Sequence, residues 1–253
     1  MIKDSTDTFI HNDTLLSQQD NPQYHKKTFF GRRKGKGMSQ AKEDLLATHL
    51  SDYSITLPTA PSEKLDFTKF FDFKPDSFVF EIGYGTGEHL VQMALANPNT
   101  AFIGTEVFLN GNASILKKII DNNIKNIRIF PDDANLLFPH IPNDIFKTIF
   151  VLYPDPWPKN RNEARRMINE NNIQLFHRWL SVDGNLFVAS DHPVYIPWVL
   201  MVLHTQLGQS LFRWTATTSS DFTNPPKDWF TTRYEQKAIA ENRKPIYLNF
   251  LKK

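Results

Sequence analysis

The sequence predicts an α/β fold, a Rossmann-like doubly wound and mostly parallel sheet preceded by a basic arm, and three observations carry that prediction. After Pro75, short apolar runs alternate with longer stretches of helical periodicity, a pattern that places helices on both faces of a parallel sheet through right-handed crossovers. A glycine-rich turn, Gly83-Tyr-Gly-Thr-Gly87, joins the first apolar run to the first helical stretch, as at the ligand-binding turn of such sheets. The composition, 40% apolar and 22% charged over 253 residues, is that of a soluble globular chain and suits one domain plus a tail.

The elements follow in order. Residues 1 to about 25 are polar and without apolar periodicity, so they bury too little surface to offset their ordering entropy and are expected to be disordered. Between Lys26 and Lys42 stand seven Lys/Arg and no acidic residue, against a whole-chain charge of +2, so the basicity is local. With Phe29 and Phe30 among its cations and glycines, this stretch suits an arm that grips a polyanion, a solubilising tail being the plainer alternative. The expected division is an arm over residues 1–38 and one domain over 39–253. Ser39 is an expected N-cap, with Glu43 and Asp44 in the first turns of a helix. Strands are expected at 78–82, 101–106, 126–130, 147–152 and 185–190, and helices at 87–97, 110–122, 169–180 and 194–207. Residues 211–215 and 244–250 are candidates for closing strands at the C-terminal edge.

Several functions are excluded early. There is no cysteine, hence no disulfide, thiolate nucleophile or Cys-ligated metal, and a reducing cytoplasmic setting is expected. Eight histidines are scattered without a metal-binding spacing, so no metal site is expected. No run reaches 18 apolar residues and the N-terminus lacks a signal-peptide pattern, so neither membrane span nor leader is expected. No heptad or self-complementary strand decides between monomer and homodimer.

The glycine turn carries chemistry. Gly83, Gly85 and Gly87 give G-x-G-x-G, whereas the dinucleotide fingerprint would need glycine at the position of Glu88. A glutamate there would repel a pyrophosphate, so S-adenosyl-L-methionine is favoured over a nicotinamide dinucleotide. Glu106, about twenty residues on, ends the second strand where a carboxylate accepts from both ribose hydroxyls. Asp132-Asp133 follows the third strand, and one of the two could accept from the adenine amino group. His89, just past the turn, reads as a first-turn helix residue rather than a ligand. Trp198 and Trp214 read as core.

The fourth strand ends in Tyr153-Pro-Asp-Pro-Trp-Pro-Lys159, where three prolines stiffen the turn and hold Asp155 at the carboxyl edge of the sheet. Trp157 offers a stacking face. Lys159, Arg161, Arg165 and Arg166 are candidate phosphate partners. Asp191 ends the fifth strand, with a helix N-cap as its alternative role.

These segments together with Ile103-Gly-Thr-Glu106, Ala189-Ser-Asp191 and Thr232-Arg-Tyr-Glu235 resemble the bacterial tRNA (guanine-N7-)-methyltransferase family, and the likeness runs from about Phe29 to the C-terminus. The resemblance implies a class I methyltransferase fold and methyl transfer from S-adenosyl-L-methionine to N7 of a tRNA guanine, guanine 46 of the variable loop. It implies cofactor contacts at Glu81, Glu106, Asp133 and Asp155, alongside the turn glycines, and a catalytic role for Asp155. Substrate contacts are implied at Lys159, Asp191, Thr232, Arg233, Tyr234 and Glu235, where Arg233 and Tyr234 replace the family's usual Lys and Phe. A methyltransferase for another RNA or a small molecule would need neither the arm nor the Asp155 loop. A non-catalytic RNA-binding protein would be expected to lack Glu81, Glu106 or Asp155.

Overall fold

A computed structural model describes residues 37–253; the expected disordered tail and most of the basic arm, residues 1–36, lie outside the described residues. Helix α1 (Gln40–Tyr53) leads to strand β1 (Ser77–Ile82), α2 (Glu88–Ala96), β2 (Thr100–Thr105), α3 (Leu109–Asp121) and β3 (Ile127–Phe130). Then come α4 (Ala134–Leu137), β4 (Phe146–Leu152), α5 (Glu170–Trp179), β5 (Leu180–Ser190), α6 (Tyr195–Leu203) and α7 (Gln206–Leu211). Strand β6 (Phe212–Trp214), α8 (Ser220–Thr223), α9 (Arg233–Ala240) and β7 (Ile246–Lys252) complete the chain.

The strands form one seven-stranded sheet in the order β3-β2-β1-β4-β5-β7-β6. The first five run parallel, and β7 lies antiparallel between β5 and β6. The order reverses between β1 and β4, and the crevice outside the carboxyl ends of these strands is where such sheets bind ligands. Side-chain alternation explains why the strands read as continuous apolar runs. Phe80, Ile149, Val151, Leu186 and Val188 enter one apolar layer, with Phe176, Trp179 and Tyr195 of α5 and α6. Their neighbours Val79, Phe150, Leu152, Phe187 and Ala189 enter the other, with Leu90, Ile115 and Leu116 of α2 and α3.

Several expectations are corrected. The stretch expected as one helix over 194–207 is two, because Thr205 takes an extended backbone and its hydroxyl accepts from Gly208 N at 3.1 Å, capping α7 anew. Strand β5 begins five residues earlier than expected, with Leu180 paired to Phe146 of β4. Helix α9, built from a segment read only as a motif, starts in a capping box of Thr232 and Glu235. Ser39 precedes α1 as expected, but its side chain makes no capping bond. Trp198 and Trp214 are half-buried against the first layer rather than inside it.

Candidate active site

The turn after β1 owes its shape to glycine. Gly83, Gly85 and Gly87 have φ of 76°, 58° and 79°, values that L side chains rarely adopt. A Cβ at Gly87 would stand 2.7 Å from Ile115 Cγ1, whereas no atom lies within 4 Å of a Cβ built on Gly83, so the turn is open on that side. Its backbone is tied to Glu106, whose two oxygens accept from Gly85 N and Phe108 N, each at 2.9 Å. Burial raises the Glu106 carboxyl above the usual glutamate range against the pull of those backbone donors, and the charge of Asp155 raises it further. A carboxylate offers about four acceptor positions, so acceptors remain for the hydroxyls of a ribose.

Tyr84 is buried behind the turn and donates to Asn112, whose amide donates to the Glu106 carbonyl at 3.1 Å. Glu88 does not stand as a bare charge: Lys118 Nζ reaches it at 2.7 Å and Thr86 donates to it at 2.6 Å. Burial alone would raise its pKa, but these bonds outweigh it and hold the carboxyl below its ordinary range. The repulsion expected of Glu88 is therefore largely neutralised within the turn. Asp133 caps α4, its Oδ1 accepting from Asn135 N at 3.0 Å, while Asp132 Oδ1 accepts from Asp133 N at 2.7 Å.

A cleft opens at the switch point, lined by Glu81, Gly83, Thr86, His89, Tyr153 and the segment Thr232–Tyr234, among others. Glu81 is 2% exposed. His89 is indeed in the first turn of α2, but it also lines the cleft and bonds Glu81 through Nδ1 at 2.8 Å, a partnership that sequence reading missed.

The loop after β4 is strained and braced. Tyr153 and Trp157 have positive φ, 49° and 41°, sparsely populated for bulky residues and held only where the surroundings fix them. The brace is Arg166, and here the expected phosphate partner is corrected. Its guanidinium is 2% exposed, donates from Nη2 to Trp157 O at 3.0 Å and from Nε to Pro156 O at 3.2 Å, and stacks 4.4 Å from the Trp198 ring. Buried beneath the loop, it cannot meet a polyanion. Lys159, Arg161 and Arg165 are exposed, and Arg165 covers the Trp157 ring at 5.1 Å. Asp155 is exposed, and its charge, with that of Glu106, helps raise the Tyr234 phenol after burial, the larger cause. Tyr234 packs over the glycine turn, where a Cβ on Gly85 would lie 3.4 Å from its Cε2.

The Thr232–Glu235 segment divides in two. Arg233 and Tyr234 are exposed at the edge of the cleft, Tyr234 at 59%. Thr232 and Glu235 are buried, and Glu235 accepts from Trp229 Nε1 at 2.7 Å and Tyr247 Oη at 2.6 Å. Asp191 is ion-paired to Arg243, which also binds Glu241 at 2.6 Å. Among the described residues no group of three or more His, Asp or Glu could hold a metal ion, and no helix is long and apolar enough to cross a membrane.

Comparison with known proteins gives the family and the fold. A family model described as "Putative methyltransferase" matches residues 75–248. The tRNA (guanine-N(7)-)-methyltransferase of Rhodospirillum rubrum is 42% identical over 88% of this chain and 86% of its own. That of Azorhizobium caulinodans is 39% identical over 94% and 98%. Among solved structures, an antibiotic-related methyltransferase aligns with a TM-score of 0.52 at 15% identity, over 78% of this chain and 96% of that one. A 16S rRNA methyltransferase aligns at 0.51 and 13%, over 75% and 94%; both likenesses concern the fold. With its class I methyltransferase sheet, glycine turn and Pro-Asp-Pro-Trp loop, this chain is an enzyme of the tRNA (guanine-N(7)-)-methyltransferase family.

Proposed function

We propose that the chain transfers a methyl group from S-adenosyl-L-methionine to N7 of a guanine in tRNA, guanine 46 of the variable loop. The observation that carries this reading is the glycine turn at the switch point, whose Gly85 N donates to Glu106 at 2.9 Å and whose Gly85 lies against the Tyr234 ring. Glu106 suits a ribose, and Asp155 stands exposed for a base. The open space before Gly83 and the anchored Glu106 fit an adenosine without pyrophosphate. Asp133 is the partner for the adenine amino group, and Glu81 for the amino-acid end. When bound, the cofactor supplies an electrophilic methyl on a sulfonium.

Guanine N7 carries no proton, so its attack requires no general base. The residues act by alignment, which can supply about 7–11 kcal/mol of a barrier. Asp155 stabilises the positive charge that the purine acquires, or accepts from the donor edge of the base, in a preorganised electrostatic role. In A-form RNA the major groove is too deep and narrow for N7 to be reached, so an irregular loop is the sensible target. Lys159, Arg161, Arg165 and Arg233 take the backbone phosphates and Tyr234 packs on the nucleotide. Thr232 and Glu235 hold the last two at the edge of the cleft, and Asp191 keeps Arg243 and the end of α9 in place. The working compartment is the cytoplasm, where tRNA is matured.

The test is transfer of labelled methyl to an unmodified tRNA transcript beside one with guanine 46 replaced by adenine. Incorporation into the first only, with chain cleavage at that base after reduction and aniline treatment, is the expected result. Equal incorporation into both would discard the position, and none into either would discard the acceptor.

A further inference from the structure

The cleft contains a buried carboxylate that no Lys or Arg among the described residues reaches. Glu81, at the end of β1, is 2% exposed, and His89 is its only ion-pair partner among the described residues. The Nδ1 contact at 2.8 Å uses Glu81 Oε2 alone. His89 Nε2 is buried without a hydrogen-bond partner among the described residues. The ring is fixed edge-on to Phe150 at 4.8 Å and against Trp229 at 4.9 Å. It therefore holds one orientation.

A buried carboxylate whose second oxygen lacks a donor is costly. Both residues line the cleft, so that donor can come from a ligand. Glu106 follows the end of β2, and Glu81 lies on the adjacent β1, which pairs with β4 on its other side. Glu81 and Tyr153 line the cleft beside the glycine turn, whose Gly85 N donates to Glu106. We propose that His89 is the positioning residue of an ammonium subsite: its ring N–H fixes the Glu81 carboxylate so that the other oxygen receives the amino group of a nucleoside amino acid. The proposal rests on the reading of the cleft as the S-adenosyl-L-methionine site, and adds to it a residue that touches no reacting atom.

Calorimetric titration tests it with two ligands, S-adenosylhomocysteine and 5′-methylthioadenosine, which share the nucleoside thioether while only the first has the amino-acid tail. His89→Leu is expected to weaken S-adenosylhomocysteine about tenfold and to leave 5′-methylthioadenosine within about twofold. His89→Asn keeps a donor at the place of Nδ1 and regains most of the loss. In a Glu81→Gln background His89→Leu adds no further loss, since the two act as a unit. If the leucine chain does not fold, His89→Gln, which moves the donor one bond outward, gives the same split. Equal weakening of both ligands, an unaltered affinity for S-adenosylhomocysteine, or no recovery in His89→Asn would overturn the proposal while the cofactor reading stood. Binding of neither ligand by the unaltered chain would overturn the cofactor reading and this inference together.

Discussion

On the β1–β2 side of the cleft the polar groups are bonded into the fold, whereas on the β4 side the chemistry-bearing groups stand exposed above a buried support. Glu106 is held by two backbone donors and Glu81 by His89. Asp155, Lys159, Arg165, Arg233 and Tyr234 reach solvent, over Arg166 and Glu235, which do not. The difference teaches that a small ligand can be met by a preformed pocket. A large polyanion needs exposed groups, and those must be stiffened from below. Substitutions above and below the β4 loop should therefore fail in different ways.

The largest effect is expected for Asp155. Asp155→Asn should lower single-turnover methyl transfer about 10²-fold, the scale of removing one preorganised electrostatic group. The melting temperature should not move, because Asp155 is exposed; wild-type turnover in this variant would end its catalytic assignment. Arg166 is the converse. Arg166→Leu removes the donors to Trp157 and Pro156 and the stacking on Trp198, for a loss of about 2–4 kcal/mol in stability. Arg165→Leu should leave melting unchanged and lower the salt dependence of tRNA binding by about one phosphate contact. Equal melting temperatures for the two variants would erase the distinction between brace and contact.

The next effect depends on pH. Burial, aided by the charge of Asp155, raises the Glu106 carboxyl, so the folded chain holds this proton more tightly than the unfolded one. Its contribution to stability is therefore present below the ordinary glutamate range and is lost as pH rises through the folded value. Ribose recognition needs the ionised form, so affinity for S-adenosylhomocysteine should run the opposite way, falling as pH drops through the raised value. Glu106→Gln should weaken binding about tenfold near neutral pH and flatten its pH dependence. Asp155→Asn removes a raising charge and should move the step to lower pH. Calorimetric titrations across mildly acidic to neutral pH check both, and an unmoved step would separate the two carboxylates.

The sheet was legible because period-two alternation puts apolar residues on both strand faces, as for Phe80 and Val79 or Val151 and Phe150. Glu106, Asp155 and the glycines were legible because their chemistry depends on strand ends and backbone freedom, both local. Arg166 was misread since a cation after Lys159 and Arg165 looks like one more phosphate partner. Its burial depends on Trp198, thirty-two residues away. The bonds of His89 to Glu81 and of Trp229 to Glu235 were missed although the partners are near in sequence, because they form only once the turn and the start of α9 fold back. The break at Thr205 escaped an apolar pattern that continues on either side of it.

The smallest expected effects compare two helix starts of similar local sequence. Ser39 and Thr232 both precede a helix with a glutamate in its first turn, Glu43 and Glu235. Thr232 Oγ1 accepts from Glu235 N at 3.0 Å, and the Glu235 carboxylate in turn accepts from Thr232 N at 3.4 Å. Ser39 makes no capping bond, and α1 has no buried residue. Thr232→Ala should therefore cost about 1 kcal/mol, with a correspondingly lower midpoint in denaturant, whereas Ser39→Ala should stay within about 0.5 kcal/mol of the unaltered chain. The comparison sharpens if Thr232→Ala also weakens tRNA binding without changing the affinity for S-adenosylhomocysteine. The cap would then act by presenting Arg233 and Tyr234 to the RNA, the exposed half of a segment whose other half is buried.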